Sequence, residues 1–339
     1  MTMKELAKIA NVSVATVSKA FNGAEDISQA TRGHIFQIAK VHGCYEKFHK
    51  GKYHKKTIAV ICPEMASSYY TRYVEILRGL IEKANCIPII SADDFDAEKQ
   101  RELIDYYATY QKVDGIIVFC LHFRLEKKYE TPIIAFMSCR DPAVDFVVVN
   151  YKQAEEDAVK ILTEYGHKHI VFISEPRTRI KGEHYFASMR KYGKGLPCII
   201  TSDSRFEKAG EEGVDRLIAE KRQFTALICA YDNIAFGAMK QLKRYGLRVP
   251  EDVSVIGMDN ISMGQYAETE LSSIGTQPEE VCMIAWNLLQ KKMNNPFYIS
   301  KQNITINEEL ILRKSVARYS PVSSGELEHT NEINHEIKE

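Results

Sequence analysis

The sequence predicts an α/β protein in which a small N-terminal unit of three helices, arranged as a helix-turn-helix, precedes a larger region of parallel sheets flanked by helices. Three observations carry that expectation. Residues 3–41 hold apolar residues at helical spacing. From Thr57 onward, short apolar strands alternate with longer amphipathic segments, the pattern of βαβ units. Basic residues gather at the N-terminal end of a chain whose 339 residues balance overall, Lys+Arg 45 against Asp+Glu 45.

The first helix opens on Thr2 and Glu5, a Thr-x-x-Glu capping box that satisfies two orphan amide donors reciprocally. Leu6, Ile9 and Ala10 fall on one face of it, Lys4 and Lys8 lie away from that face, and the helix stops at Asn11. Ser13 caps a second helix, in which Val17 and Phe21 form an i, i+4 stripe facing the first; Val14, Ala15, Ser18 and Lys19 are left pointing outward. A third helix, from about Ser28 to Val41, carries Ile35, Ile38 and Ala39 inward, and Gly43 ends it. Small, apolar and basic side chains together on an outward face suit the floor of a DNA groove. Helical hairpins with no nucleic-acid partner share this periodicity, and charge separates the two readings. Up to Lys56 the basic residues Lys4, Lys8, Lys19, Arg32, Lys40, Lys47, Lys50, Lys52, Lys55 and Lys56 are opposed only by Glu5, Glu25, Asp26 and Glu46. A phosphate-binding surface needs that asymmetry, since each neutralised phosphate releases counterions.

Beyond Lys56, strands are expected at Ile58 to Ile61, Ile87 to Ile90, Ile116 to Phe119, Ile133 to Phe136, Phe146 to Val149, Ile170 to Ile173, Ile199 to Thr201, Ala226 to Ala230 and Val253 to Ile256, enough for two sheets. Helices between them stop at Tyr165-Gly166 and at Tyr245-Gly246, the latter followed by Pro250. The eight cysteines are scattered without Cys-x-x-Cys spacing and read as core thiols. No apolar leader precedes Met3 and no run approaches roughly 18 apolar residues, so a cytoplasmic protein with no membrane partner is expected. Asp93, Asp94, Asp96 and Glu98 read as complements of a helix dipole rather than a metal site. His167 and His169 read as loop residues, and Trp286 as core or dimer packing. No phosphate-cradling Gly-rich loop and no Ser/His/Asp or Cys/His arrangement is visible, so neither enzymatic activity, cofactor nor metal is expected. After Tyr319 the chain turns polar and acidic, and residues 320–339 are expected to be a disordered tail.

The run Leu6-Ala7-x-x-Ala10-x-Val12-Ser13-x-x-Thr16-Val17-Ser18-x-x-Phe21-Asn22 resembles the headpiece of the LacI/GalR transcriptional repressors. Val113-Asp114-Gly115-Ile116-Ile117, Gly166-His167-Lys168-His169-Ile170, Asp232-x-x-Ala235-x-Gly237-Ala238 and the run from Val249 to Asn260 are similar to that family's patterns in the same order, extending the resemblance to about Tyr319. The resemblance implies that Val14, Ala15 and Lys19 read base edges, while Ser13, Thr16, Ser18 and Asn22 hold the DNA backbone. Their chemistry agrees: Val14 and Ala15 offer apolar contact to thymine methyls, Lys19 can donate to guanine O6 and N7, and hydroxyls and amides fix register without reading sequence.

The resemblance also implies a two-lobed periplasmic-binding-protein-like core that holds a small-molecule effector in its cleft and dimerises. Its first lobe should hold about Thr57 to Asn150 plus a later segment near Gln277 to Gln302. The expected domains are a headpiece over 1–44, a basic linker over 45–56, the effector-binding and dimerisation core over 57–319, and the tail. Ligands of open α/β sheets sit at the carboxyl ends of strands. Asp259 lies just past such a strand and matches the family aspartate that accepts from ligand hydroxyls. Ser67, Ser68, Tyr69 and Tyr70 stand at the family's polar-aromatic cleft segment. Two departures bear on the ligand: Tyr185 stands where many members carry an arginine, and Tyr231 where Asn is usual. A phenol cannot reproduce an arginine fork. A third departure is the linker, where Glu46 to Lys56 lacks the Pro-Asn and leucine of a hinge helix. The expectation there is no normal hinge helix, with Phe48 or Tyr53 as a substitute wedge or, in preference, a basic tether along phosphates. The resulting expectation is a homodimeric repressor of a pseudo-palindromic double-stranded operator, switched by a carbohydrate-like molecule through population shift. The rival expectations are control by a protein co-regulator or no effector, and a sugar-binding protein or enzyme that does not bind DNA.

Overall fold

The computed structural model describes residues 1–22, 24, 26–49, 55–295, 298 and 300–320. By contacts the chain divides into two compact units, Met1–Ile58 with Ile81–Ile89, and Ala59–Leu80 with Ile90–Glu339.

In the N-terminal helices, local side-chain chemistry sets the start of each of the first three. Helix α1 (Met3–Ile9) begins at the predicted capping box, Glu5 N donating to Thr2 Oγ1 at 3.3 Å and Thr2 N to Glu5 Oε2 at 2.7 Å. Asn11, left-handed at φ 53, turns the chain out of it. Ser13 Oγ accepts from Thr16 N at 3.0 Å and starts α2 (Val14–Asn22). Ser28 does the same for α3 (Gln29–Val41), and Gly43, at φ 64, lies just past its end. The core of the unit is Leu6, Ala7, Ala10, Val17, Ala20, Phe21, Ile35 and Ala39. Ile9 does not join it: it is 46% exposed, and Ala7 takes the inward face instead. A short helix, α4 (Tyr45–His49), continues the chain. The Phe21 ring lies 5.0 Å from Phe36, 5.6 Å from Phe48 and 6.0 Å from Tyr45. Phe48 is therefore a buried core residue and not a free wedge. Tyr53, the rest of the hinge expectation and the tail expectation for 321–339 lie outside the described residues.

From Thr57 onward the chain alternates strand and helix as expected. The strands are β1 (Thr57–Cys62), β2 (Ile87–Ala92), β3 (Gly115–Leu121), β4 (Ile133–Cys139), β5 (Asp145–Asn150), β6 (Ile170–Ser174), β7 (Cys198–Thr201), β8 (Ala226–Cys229), β9 (Ser254–Met258), β10 (Ser272–Gly275), β11 (Asn303–Asn307) and β12 (Glu309–Ile311). Between them lie α5 (Ser68–Lys83), α6 (Ala97–Asp105), α7 (Lys152–Glu164), α8 (Arg179–Tyr192), α9 (Phe206–Ala219), α10 (Asp232–Arg244) and α11 (Pro278–Asn294). The strands form two six-stranded sheets, β11-β5-β4-β3-β1-β2 and β12-β10-β9-β8-β6-β7. The β3–β4, β4–β5, β6–β8 and β8–β9 ladders are parallel, and β10–β12 is antiparallel. Central strands such as β3, β6 and β8 are apolar along their length because helices cover both faces.

After β10 the chain returns to the first sheet. Helix α11 packs against β3, β4 and β5, so closely that a Cβ on Gly115 would sit 2.9 Å from Leu289 Cδ1. Strand β11 then pairs with β5, and β12 goes back to the second sheet. This return is the discontinuity expected near Gln277 to Gln302, carried on to Asn307. Trp286 is buried on α11. Asp96 caps α6 as read, its Oδ1 accepting from Glu98 N at 2.8 Å. His167 is more than a loop residue: it is buried, with Nδ1 3.0 Å from Thr225 Oγ1 and Nε2 3.0 Å from Ala317 O, tying the last described segment to the second sheet. Among the described residues, no helix is long and apolar enough to cross a membrane, and no group of three or more His, Cys, Asp or Glu is placed to hold a metal ion.

Candidate nucleic-acid interface and ligand cleft

Helix α2 divides its residues cleanly. Val17, Ala20 and Phe21 are buried, while Val14 (45% exposed), Ala15, Lys19 and Asn22 face solvent. Residues 14, 15, 18, 19 and 22 fall on one helical face. Ser13 Oγ and Thr16 Oγ1 lie 2.8 Å apart at the cap, and Asn22 Nδ2 donates to Ser18 Oγ at 3.3 Å. Lys19 Nζ donates to Asp26 Oδ2 at 2.5 Å, a pair half-exposed on both sides, which holds Asp26 below the usual carboxylate range. An exposed pair of this kind is worth little.

A cleft of about 320 Å³ lies within the larger unit. Strands of both sheets end at it: Glu64 and Ser67 follow β1, Tyr151 follows β5, Glu175 follows β6, Arg205 and Phe206 follow β7, Tyr231 follows β8 and Asp259 follows β9. Tyr69 and Tyr70 from α5, Lys181 from α8, Glu308 between β11 and β12, and His122, Ser138, Arg177 and Thr178 add to the polar lining. This is the strand-end placement that singled out Asp259.

Asp259 sits at φ 98, in the left-handed region that L side chains rarely adopt. Buried Asp232 fixes the loop: its Oδ2 accepts from Ile261 N at 2.8 Å and its Oδ1 from Ser273 Oγ at 2.6 Å. Asn260 N donates to Ser273 Oγ at 3.0 Å, and Asn260 Oδ1 accepts from Arg313 Nη2 at 2.7 Å. Gly257 has to be glycine, since a Cβ there would lie 2.1 Å from Asp232 Oδ1. Asp259 Oδ1 stands 3.6 Å from Lys181 Nζ, which donates to Ala230 O at 2.7 Å. Burial pushes the Asp259 carboxyl up to about 6 against the pull of Lys181. Burial likewise pushes Glu308 up to about 7, with Lys181 lowering it and Asp259 raising it. On α7, fully buried Glu155 is pushed up to about 8 by burial. Neither of its oxygens has a hydrogen-bond partner among the described residues, and His184 Nδ1 is 4.0 Å away.

Among the described residues, one ion-pair bridge crosses the cleft between the sheets. Arg205 donates through Nη1 and Nη2 to Glu64 Oε2 and Oε1 at 2.9 and 2.7 Å, and through Nε to Glu175 Oε2 at 3.3 Å. Its guanidinium lies 4.5 Å from the Phe206 ring centroid, and that of Arg177 lies 4.3 Å from Phe95. Tyr69 OH donates to Met137 Sδ at 3.2 Å, and the Tyr69 and Tyr70 rings meet edge to face at 5.3 Å. Tyr231 OH accepts from Phe206 N at 3.0 Å.

The structure therefore brings Tyr69, Tyr70, Tyr231 and Asp259 together and corrects two expectations. Ser68 is exposed and does not line the cleft; the buried neighbour Ser67 does. Tyr185 is not a cleft residue. It is fully buried against the second sheet, its OH donating to Ile170 O at 2.8 Å and accepting from Cys198 N at 3.3 Å, its ring stacked 5.1 Å from Phe172. The α8 residues in the cleft are Ile180 and Lys181, one turn nearer the strand ends. Sequence reading missed Lys181, Arg205, Glu175 and Glu308, although the first three follow second-sheet strands by the same rule that found Asp259.

The sequence pattern described as bacterial regulatory proteins of the lacI family matches residues 2–45, and that of the periplasmic binding protein-like domain matches residues 159–316. The chain is 31% identical to the HTH-type transcriptional repressor CytR of Escherichia coli (strain K12) over 335 residues, 93% of this chain and 96% of that one. Its fold is similar to the lac repressor dimer solved with operator and the anti-inducer ONPF, with a TM-score of 0.72, 18% identity, and coverage of 94% and 99% of the two chains. A LacI family regulator from Enterococcus faecium solved with bound ribose aligns with a TM-score of 0.66 and 20% identity, over 78% of this chain and 100% of that one.

Proposed function

Because the chain belongs to the LacI family of bacterial regulatory proteins, we propose that it represses its target genes as a homodimer on a pseudo-palindromic operator, with a carbohydrate-like molecule in the cleft setting operator affinity. It is a sequence-specific DNA-binding transcriptional regulator. The observation that carries the proposal is α2, whose inner face forms the headpiece core while Val14, Ala15 and Lys19 stand exposed on the other. In this reading Val14 and Ala15 press on thymine methyls, Lys19 leaves Asp26 for guanine O6 and N7, and Ser13, Thr16, Ser18 and Asn22 hold phosphates and set register. A two-fold protein then reads two half-sites on successive major-groove faces.

The cleft supports the effector half of the proposal. Asp259, Tyr69, Tyr70 and Tyr231 place one carboxylate and three aromatic rings around a volume suited to one sugar ring. A ligand that binds one arrangement of the two sheets better than another shifts the population and thereby operator affinity. The test is to recover operators from sheared genomic DNA with the full chain and titrate the recovered duplex with a panel of neutral and amino sugars. The proposal expects a palindromic sequence and at least one sugar that changes its affinity by about 5- to 150-fold. Absence of an enriched sequence overturns the DNA reading, and a duplex affinity indifferent to every sugar overturns the effector reading.

A further inference from the structure

We infer that the cleft is built for a ring-sized ligand carrying a protonated amine, received by Glu308 and Asp259. This rests on the reading of the cleft as the effector site and adds the ligand's charge. Most of the cleft charges already have partners. Arg205 occupies Glu64 with a bidentate pair and reaches Glu175 as well. Asp259 has Lys181 at 3.6 Å, and that ammonium already donates to Ala230 O. Glu308 is 8% exposed and lines the cleft, yet among the described residues its carboxylate has no hydrogen bond or ion pair. Arg177 lies on the exposed rim over Phe95 and makes no ion pair among the described residues. The floor therefore holds two carboxylates against one ammonium.

A buried carboxylate without a partner is costly, and both floor carboxyls respond by holding their protons above the usual carboxylate range. A ligand ammonium supplies the missing positive charge. It also finds aromatic faces: Lys181 Nζ already sits 5.6 Å from the Tyr151 ring centroid, and Tyr69 and Tyr70 line the same space. A neutral sugar leaves the imbalance in place. An anionic ligand meets the Arg205 guanidinium already occupied by two carboxylates and is left with Arg177 on the exposed rim, away from Glu308 and Asp259.

The test is thermal-shift and calorimetric titration of the full chain with matched compounds: glucose and glucosamine, galactose and galactosamine, mannose and mannosamine, and the N-acetyl form of each amine. The expected result is that an amine raises the unfolding midpoint and binds about tenfold tighter than its neutral and N-acetyl counterparts. In Glu308→Gln that preference collapses. Asp259→Asn is the second variant, and the comparison of matched compounds on the unaltered chain needs no variant. A neutral sugar that binds as tightly as its amine, or an amine preference unchanged in both variants, overturns the charge inference and leaves the sugar reading standing. No midpoint shift with any compound overturns both.

Discussion

The headpiece and the cleft treat polar side chains in opposite ways. In the headpiece the core is apolar, and the polar groups offered to a partner are exposed, as with Lys19 and Asn22, or held at the surface in a cap, as with Ser13 and Thr16. In the cleft, Asp259 and Glu308 are largely withdrawn from water and have one ammonium, Lys181, beside them. The first arrangement recognises a long polyanion through a solvated surface, whose strength depends on salt. The second keeps charge poised in a dry site, where one matching group on a small ligand changes the local balance by a large amount. In the proposed reading surface chemistry serves DNA and buried chemistry serves the effector, so each can be perturbed separately.

The largest effect should come from the headpiece core. Phe21→Ala removes the ring around which Phe36, Tyr45 and Phe48 gather and should cost about 3–5 kcal/mol. Denaturant unfolding followed by circular dichroism should show an early transition, and operator binding should be lost while cleft ligand binding persists. Loss of both activities together would break the separation of the two regions. Next is Arg205→Ala, which leaves Glu64 and Glu175 without their shared guanidinium and should destabilise the core by about 2–3 kcal/mol. A double-mutant cycle with Glu64→Gln should return part of that loss; full additivity would deny the bridge.

The pH dependence sharpens the comparison further. Asp259, Glu308 and Glu155 have folded values raised to about 6, about 7 and about 8 above ordinary values of 3.8, 4.5 and 4.5. The folded chain therefore binds their protons more tightly than the unfolded chain does. Their contribution is neutral below about pH 4, turns against folding as pH climbs from there, and levels off above the folded values of about 6 to 8, the reverse of a salt-bridged carboxylate. Glu155→Gln should raise core stability above pH 8 by about 2 kcal/mol and leave it unchanged at pH 4, as read by chemical denaturation across that range. A smaller effect is expected at the DNA surface, where Lys8→Ala should lower the slope of log affinity against log salt by about 1 while leaving sequence preference intact.

What was legible in the sequence follows the same division. The headpiece rests on contacts within a few residues, so Thr2 with Glu5, Ser13 with Thr16, and Val17 with Phe21 disclosed its boundaries and faces. Ile9 misled because helical spacing alone does not separate the rim of a small core from its interior, and Ile9 lies at the rim. In the larger unit, the apolar strands and the return of the chain to the first sheet were readable. Strand β10 was not, because buried Ser272 and Ser273 interrupt its apolar pattern. Their hydroxyls serve Arg313 N and Asp232, a partnership that exists only in three dimensions. The cleft was half legible: Asp259 could be placed by the strand-end rule, whereas Glu308 gains its role only when the chain returns between β11 and β12. Tyr185 was misplaced because alignment by motif gives a residue's position along α8 but not how far that position stands from the strand ends.

The most direct test of the central claim is selection from a random duplex library by the unaltered chain and by Lys19→Ala in parallel. The account predicts one enriched pseudo-palindrome for the unaltered chain. It also predicts relaxed preference at a single position of each half-site in the variant, with affinity lower by roughly 1–3 kcal/mol. No enriched sequence, or the same preference from both proteins, would contradict it.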